Sequence, residues 1–166
     1  DIESIYPNAG SATVRRKLFG EADLKDKSAA TLDKLVIRFA RRAFRRPVTD
    51  EQTAAYREIG RKALAEGESL PGALRAAYRA ILCSPRFLTL IEAPGPLDDH
   101  AIASRLSYAL WVSMPDATLT KLADENRLQQ PAILAQQVDR LLADPKAMRF
   151  VASFTDQWAL KARCEK

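Results

Sequence analysis

The chain has 166 residues and a formal net charge of +5, enough length to bury a core in one domain or two small ones. Apolar residues make up 47%, which excludes a disordered tail, and no apolar run approaches the roughly 18 residues of a membrane-spanning helix. One histidine and two distant cysteines exclude a disulfide framework, a cysteine-only zinc site and any multi-histidine metal site.

Residues 1–30 are the least regular stretch. Tyr6-Pro7-Asn8-Ala9-Gly10 reads as a turn, and a loop with one short element is expected there. The first helix is predicted from about Ala30 to Arg45, with Leu32, Leu35, Val36, Phe39, Ala43 and Phe44 on one face. Pro47 stops it, because the residue before proline is pushed out of the helical region. Thr49-Asp50-Glu51-Gln52 has the form of a capping box, so a second helix should run to about Glu66 and end at Gly67. Ser69 caps the next helix, with Pro71 in its first turn and Leu70, Leu74, Ala77, Tyr78, Ile81 and Leu82 as its face. Ser84-Pro85 restarts the chain, cap then proline, into the short apolar piece Phe87–Ile91.

Ala93-Pro94-Gly95-Pro96 is the strongest breaker in the sequence. It separates a first helical subdomain, 31–92, from a second, 97–166. Asp98 is expected to cap a helix to about Val112, carrying Ile102, Leu106, Ala109 and Leu110 inward. After Met114-Pro115-Asp116 comes a shorter helix with Leu119, Leu122 and Ala123. Pro131 opens another, whose face holds Leu134, Val138, Leu141 and Leu142. Asp144-Pro145 repeats the cap-proline device and starts the last helix, with a predicted buried side of Val151, Phe154 and Trp158. No stretch alternates with period two for long enough to be a strand. The expected fold is all-α, seven to eight helices in a bundle or orthogonal array.

The charge is uneven. Arg38, Arg41, Arg42, Arg45 and Arg46 supply +5 without an acid among them, and residues 84–166 are neutral in sum. Four of these arginines fall on one side of the first helix. One reading is an anion-binding stripe, since guanidinium forks suit phosphate, sulfate or carboxylate. The other, commoner on amphipathic helices, is a solvated face or arginines bridging to neighbouring helices. Aromatics at 7%, no recognition motif and the Arg46-Pro47 stop argue against nucleic acid.

His100 and Ser104 lie one helical turn apart, but no oxyanion loop or glycine elbow accompanies them, so a nucleophile–base pair is not supported. Cys83 is expected as a small buried hydrophobe, and Cys164, in the polar tail, as exposed. Neither belongs to a Cys-x-x-Cys-His segment, so this chain attaches no c-type haem covalently. Asp98 and Asp99 suit the positive end of their helix. Tyr108, Trp111, Met114 and Trp158 are read as core rather than pocket. No catalytic motif and no metal site are recognisable.

Several segments together resemble a known family. They are Phe39-Ala40-Arg41-Arg42-Ala43-Phe44-Arg45-Arg46-Pro47, Leu82-Cys83-Ser84-Pro85-Arg86-Phe87-Leu88, Ala103-Ser104-Arg105-Leu106-Ser107-Tyr108-Ala109-Leu110-Trp111 and Ser113-Met114-Pro115-Asp116. Leu142-Ala143-Asp144-Pro145 and Phe154-Thr155-Asp156-Gln157-Trp158 follow in order. The set resembles the consecutive helical domains of unknown function in large planctomycete-type cytochrome-c-associated proteins. The resemblance covers about residues 31–160. It implies that the chain is an excised piece of an exported multidomain parent, periplasmic or at the cell surface, with its c-type haem in another module. It transfers no catalytic residue.

The leading expectation is therefore a non-catalytic helical module that packs against sibling domains of the same parent. In it, some of Arg41, Arg42, Arg45, Arg46, Arg86 and Arg105 should be partly buried and bonded to carboxylates or helix-end carbonyls. A rival places a redox or polysaccharide-active site between this piece and its neighbours, around a candidate pocket of Arg86, Arg105, Tyr108 and Asp116. A third reading is binding of an anionic or sulfated polysaccharide by the arginine stripe.

Overall fold

The computed structural model describes residues 19, 28–90, 92 and 94–164, without the side chains of 157 and 159–164. The expected irregular segment at 1–30 lies almost wholly outside the described residues, as does the side chain of Cys164. Among the described residues there are eight α-helices and no strand: α1 (Ala29–Phe44), α2 (Asp50–Ala65), α3 (Leu70–Leu82), α4 (Pro85–Leu88), α5 (Asp99–Trp111), α6 (Ala117–Asp124), α7 (Pro131–Ala143) and α8 (Met148–Cys164). A 3-10 turn, Pro145–Ala147, precedes α8. The fold is all-α, and the chain divides into two compact units, Asp1–Thr89 and Leu90–Lys166.

In the first unit, local chemistry sets each helix end. The Ser28 hydroxyl accepts from the Thr31 amide at the start of α1. At α2 both halves of the capping box form: Thr49 Oγ1 accepts from the Gln52 amide, and Gln52 Oε1 accepts from the Thr49 amide. Gly67, at φ 94°, ends α2 in a Schellman turn, its amide donating to Leu64 and that of Glu68 to Ala63. The core lies between α1, α2 and α3. Leu32, Val36, Ala40, Leu70, Leu74, Ala77 and Ile81 are sealed from solvent there. The helix α2 contributes few large side chains to it and instead comes close at Gly60. A Cβ on Gly60 would sit 2.9 Å from Leu32 Cδ1, inside van der Waals contact.

Three expectations for this unit are corrected. Leu82 is exposed, and Ala73, rather than Leu82, joins the inward face of α3. Cys83 is exposed too; it caps the C-terminus of α3 beyond the last apolar turn. The Ser84 hydroxyl does not cap α4 but donates back to the Ile81 carbonyl at 2.7 Å.

In the second unit, Asp98 accepts from the Ala101 amide at 2.7 Å and opens α5. Asp116 accepts from the Leu119 amide at 2.9 Å and opens α6. Asn126, at φ 52°, ends α6 in a second Schellman turn, with Asn126 donating to Ala123 and Arg127 to Leu122. A small core forms from Ala103, Trp111, Leu119, Ala123, Leu128 and Leu141. The inward face of α5 is rotated from the expected one. Ala101, Ala103, Ser104, Ser107 and Trp111 are buried, Ile102, Leu106 and Leu110 flank them, and Ala109 is exposed. Small residues at the centre let neighbouring helices approach α5, so periodicity of the large apolar residues misplaces its face.

Three more corrections concern the end of the chain. Leu142 is exposed, and Gln137 takes the buried position on α7. Asp144-Pro145 starts the 3-10 turn rather than the last helix, with Asp144 accepting from the Lys146 amide. The expected buried side of α8 is open: Val151, Phe154 and Trp158 are exposed, together with Met148 and Phe150. The α8 apolar stripe faces away from the small core of its own unit.

Candidate functional site

The arginines of α1 separate into two groups. Arg38, Arg41 and Arg42 are exposed, whereas Arg45 and Arg46 are half-buried. Arg45 adopts the left-handed conformation, φ 60°, immediately after α1. Its guanidinium lies over the C-terminal end of α4 and donates to the carbonyls of Arg86, Phe87 and Thr89 at 3.3–3.4 Å. The last carbonyls of a helix lack intrahelical donors and carry partial negative charge, so a cation there satisfies both needs. Arg45 is therefore a joint between α1 and α4 and not part of an open stripe. This arrangement meets the expectation that some of the six arginines are partly buried and bonded to helix-end carbonyls.

Of the four candidate pocket residues, Arg86 lies in the first unit and the other three in the second. Arg86 is exposed on α4. Arg105 is exposed and forms a two-pronged pair with Glu92, whose hydrogen bonding and then charge raise the arginine pKa. Tyr108 is half-buried on α5. Asp116 is taken by a different cation, Arg140, at 2.8 and 3.3 Å.

That Asp116–Arg140 pair is the centre of a polar node in the second unit. Arg140 Nε also donates to the buried Gln137 at 2.8 Å. The Arg140 guanidinium lies 5.7 Å from the Trp111 ring centre, and the Lys146 ammonium lies 4.3 Å from it. The Trp111 indole N–H donates to the Leu141 carbonyl at 2.9 Å. Burial pushes the Asp116 carboxyl up. The Arg140 hydrogen bond, the Leu119 amide and the charges of Arg140 and Lys146 outweigh it and hold the pKa below the ordinary carboxylate value. The node ties α6, α7 and the 3-10 turn to the end of α5. Arg140, Gln137 and Lys146 were not singled out from sequence. The one available signal was a polar Gln137 among the apolar positions of α7, three residues before an arginine.

The sign of the Asp116 effect gives a testable consequence. A depressed native pKa contributes stability above the unfolded value of about 4. That contribution is lost as pH falls from there through the lower native value. Asp116→Asn keeps an N-cap side chain but loses the charge of the pair. The variant should be less stable by about 1 kcal/mol at neutral pH, a charge-assisted bond discounted for partial exposure. The difference from the parent should shrink below about pH 4. Urea unfolding at pH 7 and pH 3 measures both.

His100 pairs with a carboxylate of α6. Its Nε2 lies 3.6 Å from Asp124 Oδ1, and Ser104 is buried. Asp99 is buried as well, which its proximity to the helix dipole alone did not indicate. It accepts from the Leu128 amide and, at 2.9 Å, from Gln129 Nε2. Among the described residues, no group of three or more His, Cys, Asp or Glu side chains is placed to hold a metal ion. No helix among them is long and apolar enough to cross a membrane.

Against family models, residues 31–92 match PSD5, a protein of unknown function (DUF1595). Residues 97–166 match PSD4, a protein of unknown function (DUF1592). The chain thus carries matches to two consecutive domains of unknown function, one falling almost wholly in the first helical unit and the other in the second. No curated protein and no solved structure matches it.

Proposed function

We propose that the chain is a non-catalytic helical structural and interaction module of a large exported, cytochrome-c-linked protein, at the cell surface or in the periplasm. In this reading a separate module of the parent supplies the c-type haem, and the present units pack against sibling helical domains. The observation that carries it is the open apolar face of α8. Phe150, Val151, Phe154 and Trp158 fall within an arc of about 100° at 100° per residue, the width of a helix–core seam. All four are exposed, Trp158 at 69% and Phe154 at 57%. A contiguous apolar stripe of this kind marks a contact surface. Tandem matches to two helical domains favour another such domain as the occupant.

The test compares Phe154→Ser/Trp158→Ser in two contexts. In the isolated chain the double substitution should change stability by no more than about 0.5 kcal/mol, the usual range for surface positions. In the full-length parent it should cost about 3 kcal/mol or more, the range for emptying a core of aromatic side chains. An equal loss in both contexts would assign the stripe to this chain's own core and remove the support for the reading. Haem absorbance in the purified parent checks the cytochrome link.

A further inference from the structure

The acids and bases of the first unit are sorted by side. The helices α3 and α4 contain no acidic residue, and α1 contains only Asp33. Asp33 faces α2, where it pairs bidentately with Arg61 and lies 3.8 Å from Arg57. Arg57 also reaches Asp50. Arg57 and Arg61 on α2 are therefore neutralised within the unit.

The opposite side is not. Lys34, Arg38 and Arg42 follow each other at four-residue spacing along α1, and Arg75 and Arg79 do the same on α3. All five are exposed, and among the described residues none of their side chains has a carboxylate or hydrogen-bond partner. The two helices are joined between these ridges. Phe39 stacks on Tyr78 with ring centres 3.9 Å apart and planes at 9°, and the Tyr78 hydroxyl donates to the Leu35 carbonyl at 3.4 Å. Burial pushes the Tyr78 hydroxyl up to about 12, opposed by the charge of Arg38, which places that guanidinium near α3. The backbone beneath is held by fully buried Leu32, Val36, Leu74, Ala77 and Ile81.

Five cations on a rigid two-helix frame repel one another, and a polyanion lying across both ridges relieves that repulsion. We propose that this α1–α3 face binds a linear sulfated polysaccharide, with Lys34, Arg38 and Arg42 engaging it from one helix and Arg75 and Arg79 from the other. Guanidinium forks match the paired oxygens of a sulfate group. The face is poorly suited to nucleic acid. Tyr78 is buried and Phe39 half-buried, so neither ring offers a platform for bases. Neither helix carries Asn or Gln, the side chains that read adenine edges. Arg45, already spent on the α4 carbonyls, is not part of the face. The inference goes beyond the module reading and does not depend on it.

The experiment measures binding of the 166-residue chain to heparin across a salt series, with single- and double-stranded DNA oligonucleotides as competing probes. Binding to heparin should weaken steeply with salt, as expected for screened charge contacts. Arg38→Gln/Arg42→Gln and Arg75→Gln/Arg79→Gln should each reduce the slope of log affinity against log salt by about two, one per neutralised contact. Lys62→Gln/Lys121→Gln removes the same charge from other exposed positions and should leave the slope nearly unchanged. Circular dichroism and thermal melting confirm that the variants remain folded. Absence of heparin binding at low salt would overturn the proposal. So would equal losses in all three double variants, or tighter binding to either DNA than to heparin.

Discussion

Trp111→Ala should be the most damaging single substitution in the Leu90–Lys166 unit, costing about 3–5 kcal/mol. Trp111 is only 2% exposed and is the largest side chain in a core otherwise built from Ala and Leu. So few apolar residues cannot close the cavity it would leave. Its loss also leaves the Leu141 carbonyl without the indole donor, and removes the ring beneath the Lys146 ammonium and the Arg140 guanidinium. A domain of this size has little more than that total to lose. The expected result is loss of the cooperative transition of this unit in urea, with near-ultraviolet dichroism flattened at neutral pH. Trp111→Phe separates the parts: it keeps most of the volume but not the N–H donor, and should cost about 1–2 kcal/mol. A Trp111→Ala midpoint close to that of the parent would mean that the core is centred elsewhere.

Features written in a few consecutive residues were legible in the sequence. The capping box at Thr49–Gln52, the stop at Gly67 and the caps at Ser69 and Asp98 all form, because each needs only partners three or four residues away. The all-α class followed from the same local signals. Features that depend on distant partners were not legible. Periodicity shows that a helix has an apolar face but not what covers it. It therefore places the stripe of α8, Leu82 and Leu142 in a core, whereas the structure exposes all of them. The candidate sites divide in the same way. The arginine run on α1 was visible, but the diversion of Arg45 to carbonyls more than forty residues away was not. Nor was the second ridge on α3, whose arginines look unremarkable until Phe39 and Tyr78 bring the two helices together. The sequence marks Asp116 as a pocket candidate, yet its partner Arg140 lies 24 residues further on.

Adjacent carboxylates Asp98 and Asp99 offer a sharper case, because a helix-dipole account treats them as equivalent. The structure does not. Asp98 is exposed and caps α5 through the Ala101 amide, so Asp98→Ala should cost about 1 kcal/mol, the usual loss of an N-cap. Asp99 is 2% exposed, and its carboxylate binds the Leu128 amide and the Gln129 side chain in the segment that follows α6. Leu128 is itself fully buried in the core, so its amide cannot turn to water when the acceptor is removed. Asp99→Ala should therefore cost about 2–3 kcal/mol, the penalty for stranding a buried donor that had a charged partner. Asp99→Asn should cost less. Its amide oxygen still accepts from Leu128, and the Gln129 amide can reverse to accept from the new NH2 group. Urea midpoints rank the three variants, and hydrogen exchange locates the cause. In Asp99→Ala the Leu128 amide should lose protection out of proportion to its neighbours, whereas in Asp98→Ala the change should concentrate in the first turn of α5. Equal losses for Asp98→Ala and Asp99→Ala, with the Leu128 amide still protected, would return Asp99 to the role of a dipole partner.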